Sequence, residues 1–304
     1  MHLVQVVFAL AVLAALGPPA VSAQQSPGEQ GFGAQGAEGE PNRLQQWLVP
    51  SSDPATPAHA ILFRPSGEGP FPLVLIAHAS VQNVLRRAQM PQPEYRALAA
   101  WVVARGYAVL VPERLGHGGT GGKYLEDQAG CDEADYIRSG RATADEIAAA
   151  LNYLRGQPFI RRDGALIFGH SAGAWGALAL SGQNPQGVAA IVAFAPGRGG
   201  HANDFPNQVC APHTLVSAAA EFGKAAKVPV TWVVAANDTY FSPAFSRQLA
   251  DAFRGGGGKV EFHVLPAYGG EGHWLPETEA GVRLAAAELE RALKGRPSAA
   301  AKKR

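Results

Sequence analysis

The pentapeptide Gly169-His-Ser-Ala-Gly173 and its flanks constrain the fold more than any other part of this sequence. An apolar run, 165–168, precedes it, and a run of small residues, 172–180, follows it. The pattern predicts a buried strand, a tight turn and a helix, because the two glycines remove side chains that would clash in so sharp a bend. Such a turn would push the Ser171 hydroxyl out of the sheet and leave the Ala172 N–H at a helix N-terminus.

Strand patterns alternate with helical patterns along most of the chain. Apolar runs bounded by turn residues predict strands at 47–49, 60–63, 72–77, 107–111, 165–168, 188–194, 228–235 and 259–265, and helical spacing predicts helices at 94–105, 143–154, 242–253 and 277–293. This alternation indicates an α/β fold with a mostly parallel central sheet and helices on both faces. A chain of 304 residues is long enough to bury a sizeable core.

The predicted globular domain spans residues 43–295. Before it, the apolar stretch Val4–Leu16 and the small residues after it predict a signal peptide over 1–23. Residues 24–42 are rich in Gly, Gln and Glu and predict a disordered lead-in, and 296–304 predict a disordered basic tail. We therefore expect an exported protein, periplasmic or secreted. An uncleaved membrane anchor is the alternative, but the apolar run is short for a membrane span.

The net charge of the chain bears on the class of partner to expect. The formal net charge is +1, which gives no reason to expect a nucleic-acid partner.

The two cysteines, Cys131 and Cys210, lie in loop-like stretches. An even count in an exported protein favours a disulfide between them, with two separate thiols as the alternative. Such a bridge would tie the Gly-rich loop 116–138 to an irregular stretch, 198–227, which we expect to form a small cap over the site.

A serine at such a turn needs an imidazole to accept its proton and a carboxylate to orient that imidazole. Asp238 follows the predicted strand 228–235, and His273 lies in a glycine-rich loop after the last strand. Both therefore fall at carboxyl ends of strands, in the chain order that the strand–turn–helix serine arrangement requires. Asp204 is a rival acid.

Stabilising an oxyanion requires a second N–H besides that of Ala172. The loop after strand 72–77 is the expected source, with the Ser80 amide preferred and the Ala79 amide second. Trp175 and Tyr240 are candidates to line a substrate pocket, with helix packing as the alternative for Trp175. Two readings stay open for Arg114, contact with a substrate carboxylate and a structural role in its turn.

Together these motifs resemble the α/β-hydrolase superfamily, and within it the dienelactone hydrolase-like branch, over most of residues 60–295. The resemblance includes the His78-Ala-Ser80 loop and the segment Pro112–Thr120, which is similar to an Arg-x-Gly-x-Gly turn of these enzymes. Two departures stand out. Many members have His-Gly where this chain has His78-Ala79, and the namesake enzymes use a cysteine where this chain has Ser171.

The sequence therefore predicts a serine hydrolase, with carboxylesterase as the preferred activity and a small-molecule ester as its partner. A peptidase or amidase and an acyltransferase would use the same three residues, and a non-catalytic binding protein on this fold is the alternative from another class. Neither a metal nor an organic cofactor is implied. The oligomeric state and the acyl specificity are not predicted.

Overall fold

The computed structural model describes residues 31–294. The predicted signal peptide and basic tail lie outside the described residues. The strands are β1 Gly33–Ala34, β2 Gln45–Val49, β3 Ala58–Phe63, β4 Leu73–Ala77, β5 Ala108–Pro112, β6 Ala165–His170, β7 Val188–Phe194, β8 Val230–Ala235 and β9 Val260–Leu265. The helices are α1 Val84–Ala88, α2 Arg96–Val103, α3 Tyr136–Arg155, α4 Ala172–Gly182, α5 Pro212–Gly223, α6 Pro243–Gly255, α7 Glu279–Leu284 and α8 Ala286–Lys294. Short 3₁₀ turns cover Ala202–Asp204 and Gly272–Glu277.

Within the described residues, the strands form one open sheet in the order β1-β2-β3-β5-β4-β6-β7-β8-β9. The pairs from β5 to β9 are parallel, and β1, β2 and β3 join antiparallel. The predicted mostly parallel sheet is confirmed. From β4 the chain continues to β5 on one side of the sheet, and from β6 it continues to β7 on the other side. The loops after β4 and β6 therefore lie at the point where the strand order reverses, which is where open sheets of this kind bind ligands.

Apolar side chains cover both faces of the sheet. On one face, α3, α4, α5 and α6 supply buried residues such as Ile147, Leu178 and Leu249. On the other, α2, α7 and α8 supply Leu98, Val282 and others. Strands buried on both faces explain why β4 and β5 are continuous apolar runs rather than alternating ones.

The predicted domain start at residue 43 is too late. Gly33 and Ala34 pair with Leu48 and Trp47, so part of the predicted disordered lead-in is an edge strand of the sheet. The segment is held because the Glu38 carboxylate bonds to arginines of the domain. A two-residue strand has too few side chains to show a sequence pattern.

The stretch predicted to be a cap divides into two parts. Helix α5 is not a cap, because its buried residues belong to the core on one face of the sheet. The loop before it, up to Asp204, lines the pocket described below. The Cys131–Cys210 disulfide joins this loop to the one before α3, so the predicted bridge is confirmed.

Candidate active site

Ser171 stands on a sharp turn between β6 and α4. Its backbone has φ 54° and ψ −116°, in a region that side chains rarely occupy. A Cβ on Gly173 would lie 2.1 Å from the Ala77 carbonyl oxygen, and one on Gly169 would lie 2.4 Å from Ala174 Cα. Only glycine therefore allows the helix to start so close to the neighbouring strand.

Asp238 and His273 come together from the loops after β8 and β9. His273 Nδ1 lies 3.0 Å from Asp238 Oδ2. The other carboxylate oxygen accepts the N–H groups of Tyr240 and Phe241, each at 2.9 Å. These bonds leave the Asp238 carboxylate little freedom to rotate. The rival acid, Asp204, is an exposed residue at the pocket wall.

The imidazole of His273 is almost completely buried, at 2% exposure. Burial lowers its pKa below the ordinary value, and the hydrogen bond and charge of Asp238 partly oppose that effect. The ring is therefore neutral at pH 7. Because Nδ1 donates to the carboxylate, Nε2 is left as the proton acceptor.

The loop after β4 is held in place by residues that lie after β5. The Arg114 backbone N–H donates to His78 Nε2 at 3.1 Å, and Arg114 Nη1 donates to the His78 carbonyl at 2.8 Å. The Ala79 N–H donates to the Tyr95 hydroxyl at 3.1 Å and is thus already engaged. Within the described residues, the Ser80 N–H has no acceptor. Of the two backbone N–H groups predicted to bind an oxyanion, the one on Ser80 is therefore free to do so.

A buried histidine fixes the Ser80 side chain. His117 Nδ1 lies 3.1 Å and 3.0 Å from the carbonyls of Arg114 and Leu115, so this nitrogen carries the proton. His117 Nε2 therefore accepts a hydrogen bond of 2.7 Å from the Ser80 hydroxyl. The hydroxyl of Ser80 therefore points to His117, and its backbone N–H is left as the donor on this loop.

A pocket of about 470 Å³ opens over these groups. Its lining includes Ser171, Ala172, Ser80 and His273, and further Val81, Gln82, Asn83, Arg86, Tyr124, Gln128, Gly197, Arg198, Gly199, Gly200, His201, Asn203, Asp204, Tyr240, Phe241 and Trp274. Polar and aromatic side chains share the wall. The volume is in the range of pockets that bind small organic molecules.

Two of the predicted pocket residues are not at the pocket. Trp175 is fully buried, packs against Phe222 with the two rings tilted, and donates to the Tyr136 carbonyl, so it belongs to the core. Arg114 is 1% exposed and bonds to the buried Glu126, so its role is structural and it does not contact the pocket. Trp175 packs between α3 and α5, and Arg114 reaches the loop before α3.

Tyr240 does line the pocket, and it also packs on the imidazole of His273. The two rings stack with centroids 4.3 Å apart and an angle of 21°. On its far side Tyr240 stacks on His201 at 3.6 Å. The sequence did not point to His201, because its neighbours form no motif; only the folded loop brings it to the site.

Arg198 is a further pocket residue that the sequence analysis missed. Its guanidinium bonds to Glu126 and Tyr124, and its Nε is buried without a partner among the described residues. Glu126 lies between Arg198 and Arg114, so one carboxylate connects the pocket wall to the turn that holds the His78 loop. The Cys210 N–H donates to the Gly199 carbonyl, which ties the disulfide to the same wall.

Solved structures share this fold at low sequence identity. A protein named dipeptidyl aminopeptidase IV from Bacteroides ovatus has a TM-score of 0.62 at 14% identity; the match covers 83% of this chain and 35% of that one. The esterase Pf2001 from Pyrococcus furiosus has a TM-score of 0.56 at 13% identity, covering 83% and 89%. An acetyl xylan esterase from Paenibacillus sp. R4 has 0.56 at 16% identity, covering 80% and 83%. This chain thus spans about a third of the peptidase.

No curated protein sequence is significantly similar to this chain. A family model does match it, over residues 58–294, and that model describes the dienelactone hydrolase family. The match takes in β3 to α8, and therefore every loop that lines the pocket. Together with the α/β-hydrolase fold of the structural neighbours, it shows that this chain belongs to the dienelactone hydrolase family.

Proposed function

We propose that this protein is an exported serine hydrolase that cleaves small carboxylic esters through an acyl-enzyme on Ser171. The observation that carries the proposal is the hydrogen bond of 3.0 Å between His273 and Asp238 at the same pocket as the strained serine. Neither a lone serine turn nor a lone Asp–His pair would suffice, because serine attack needs both the nucleophile and an oriented base.

In the proposed reaction, Ser171 Oγ attacks the ester carbonyl while His273 Nε2 takes its proton. The resulting imidazolium is stabilised by Asp238, and the Ala172 and Ser80 N–H groups hold the negative oxygen of the tetrahedral intermediate. His273 then gives the proton to the leaving alcohol. Water, deprotonated by the same imidazole, attacks the acyl-enzyme; the acyl–oxygen bond breaks, the imidazolium returns its proton to Ser171 Oγ, and the acid leaves.

We favour esters as the substrates because several of the structurally similar proteins that this chain covers over most of their length are esterases. Pf2001 is matched over 89% of its length, whereas the peptidase carries a large part that this chain does not match. Peptide or amide hydrolysis is therefore kept as an outcome of the test below.

Export is supported by two features of the chain. The Cys131–Cys210 disulfide is stable in an oxidising compartment. The apolar N-terminal stretch resembles a signal peptide. No helix in the described part of the chain is long and apolar enough to span a membrane. N-terminal sequencing of the mature protein, with an expected start at Gln24, tests the cleavage.

The reaction is tested with Ser171→Ala and a panel of p-nitrophenyl esters of increasing acyl length, alongside aminoacyl anilides. We expect the substitution to lower kcat at least 10³-fold, because the nucleophile and its base act as a unit. Ser217→Ala, at an exposed serine of α5, is the matched control and should keep wild-type activity.

A fluorophosphonate probe should label the wild type and Ser217→Ala but not Ser171→Ala. Wild-type turnover by Ser171→Ala would refute the assignment of the nucleophile. Faster turnover of anilides than of esters would refute the ester preference and leave the serine chemistry intact.

A further inference from the structure

Glu271 is a half-buried carboxylate that contacts both loops carrying the proposed acid and base. Its Oε1 accepts the backbone N–H of His273 at 3.0 Å and that of Thr239 at 3.1 Å. Its Oε2 accepts a hydrogen bond from the Thr239 hydroxyl. Because Thr239 directly follows Asp238, one side chain bonds to the backbone of the base and to the residue beside the acid.

A second set of contacts runs from Glu271 to the face of the imidazole. The Thr239 hydroxyl donates a hydrogen bond to the Glu271 carboxylate. The Thr239 oxygen therefore accepts a hydrogen bond from His201 Nε2, at 2.9 Å. His201 stacks on Tyr240, and Tyr240 stacks on the ring of His273. The carboxylate thus supports the imidazole through its backbone and, by way of Thr239, through a ring that covers its face.

We propose that Glu271 is a positioning residue that sets the imidazole of His273 against Asp238 and Ser171. The proposal rests on the proposed serine-hydrolase function. Glu271 is not among the residues that line the pocket, so it acts through His273 and not on the substrate. The need for such a residue follows from the topology: Asp238 and His273 sit on separate loops, and contacts between those loops decide their relative position.

Other bonds keep the two loops joined when Glu271 is replaced. Asn237 Oδ1 accepts the Tyr268 N–H at 2.8 Å, and its Nδ2 donates to the carbonyls of Tyr268 and Gly269 at 3.1 Å. The Gly272 N–H donates to the Asn237 carbonyl at 3.3 Å. Variants of Glu271 should therefore fold, with an altered orientation of His273 as the main change.

The charge of Glu271 adds a readout that a purely structural role would not give. The titratable groups around His273 are Asp238, Glu271, His170 and the stacked Tyr240. Of these, the two carboxylates favour the protonated imidazole, and His170 disfavours it. Removing the carboxylate of Glu271 should therefore lower the pKa of His273 and move the acid limb of the kcat/KM profile to lower pH.

The experiment compares Glu271→Gln and Glu271→Ala with wild type on a p-nitrophenyl ester. We expect Glu271→Ala to lower kcat about 10- to 100-fold, because small displacements of a reacting group are costly. KM should stay within about twofold, since no substrate contact is removed. Glu271→Gln keeps an oxygen acceptor for the two N–H groups, so it should recover part of kcat while showing the same shift of the acid limb.

Glu261→Gln, at an exposed carboxylate of β9, is the control and should leave kcat and the acid limb unchanged. Wild-type kcat and acid limb in both Glu271 variants would overturn the proposal. So would a loss of kcat with an unmoved acid limb and a matching fall in thermal midpoint, because that result shows a structural role only. Ser171→Ala, assayed in parallel, separates the two ideas: if it stays active, the proposed function itself fails.

Discussion

At the scale of single residues, the proposed nucleophile Ser171 has an unfavourable backbone conformation that neighbouring residues stabilise. A side chain at the φ and ψ of Ser171 costs about 1–3 kcal/mol, which the surrounding structure has to offset. The Ser171 N–H donates to the Phe194 carbonyl at 2.9 Å, and the Gly197 N–H donates to the Ser171 carbonyl at 3.3 Å. The end of β7 and the loop after it thus bond to both the N–H and the carbonyl of Ser171.

Gly173→Ala tests how closely this turn is packed. The new Cβ would lie 2.1 Å from the Ala77 carbonyl and 2.5 Å from that of His78, and neither backbone atom can move without shifting the proposed oxyanion loop. We expect kcat to fall about 10²-fold and the free energy of unfolding to fall by about 1–3 kcal/mol. Ester assays and urea titration measure the two effects.

Gly270→Ala is the control for that substitution. A Cβ at Gly270 meets nothing within 4 Å, although this glycine lies only a few residues before His273. It should leave kcat nearly unchanged. Wild-type activity in Gly173→Ala would contradict the tight approach of α4 to the loop after β4.

At the scale of elements, buried ion pairs hold the loops at the carboxyl edge of the sheet. Glu126 is 1% exposed and bonds to Arg114, which follows β5, and to Arg198, which follows β7. The two guanidiniums hold the pKa of Glu126 well below its usual range despite burial. Because both arginines share the Glu126 carboxylate, removing that charge would leave two buried guanidiniums without a counter-charge.

Glu126→Gln should therefore lower the free energy of unfolding by about 3–5 kcal/mol, the usual cost of breaking a buried pair. Activity should also fall, because Arg114 would hold the His78 carbonyl less firmly. Glu133→Gln, at an exposed position of the same loop, is the matched control and should change neither quantity. Equal unfolding midpoints for the two variants in urea would show that the ion cluster does not stabilise the loops.

At the scale of the whole molecule, buried neutral histidines make the fold sensitive to acid. Burial is the main reason that the pKa of His117 falls to about 4, with Glu126 opposing and Arg114 adding to the effect. The pKa of His78 is lowered well below its usual value by burial and by Arg114. In the unfolded chain both histidines titrate near the ordinary value of about 6.5.

The unfolded chain thus binds more protons between about pH 4 and 6.5, so stability rises with pH across this window. For His117 alone, the loss on acidification from neutral pH to pH 4 is on the order of 3 kcal/mol. Thermal midpoints at a series of pH values should fall on acidification, and His117→Gln should flatten the fall. The same slope in the variant would show that His117 is not the group responsible.

The fold follows from the sequence wherever local patterns are strong. Strands such as β4, β5 and β7 are continuous apolar runs, and their central positions are as predicted. Helix α3 is the main difference, since it begins at Tyr136 instead of residue 143. Its first turns mix exposed arginines with a buried side that includes Tyr136. Gly140 lies on that buried side and lets Phe222 and Trp175 pack directly on the helix backbone.

The sequence by itself determined the turn at Ser171, the α/β class and the chain order of the proposed acid and base, because strand and turn chemistry is local. Only the tertiary structure decided that Trp175 lies in the core, that Glu126 binds Arg114 and so joins two loops, and that Glu271 bonds to both loops of the proposed acid and base. These contacts join residues far apart in the chain, and they exist only after separate strands have packed into one sheet.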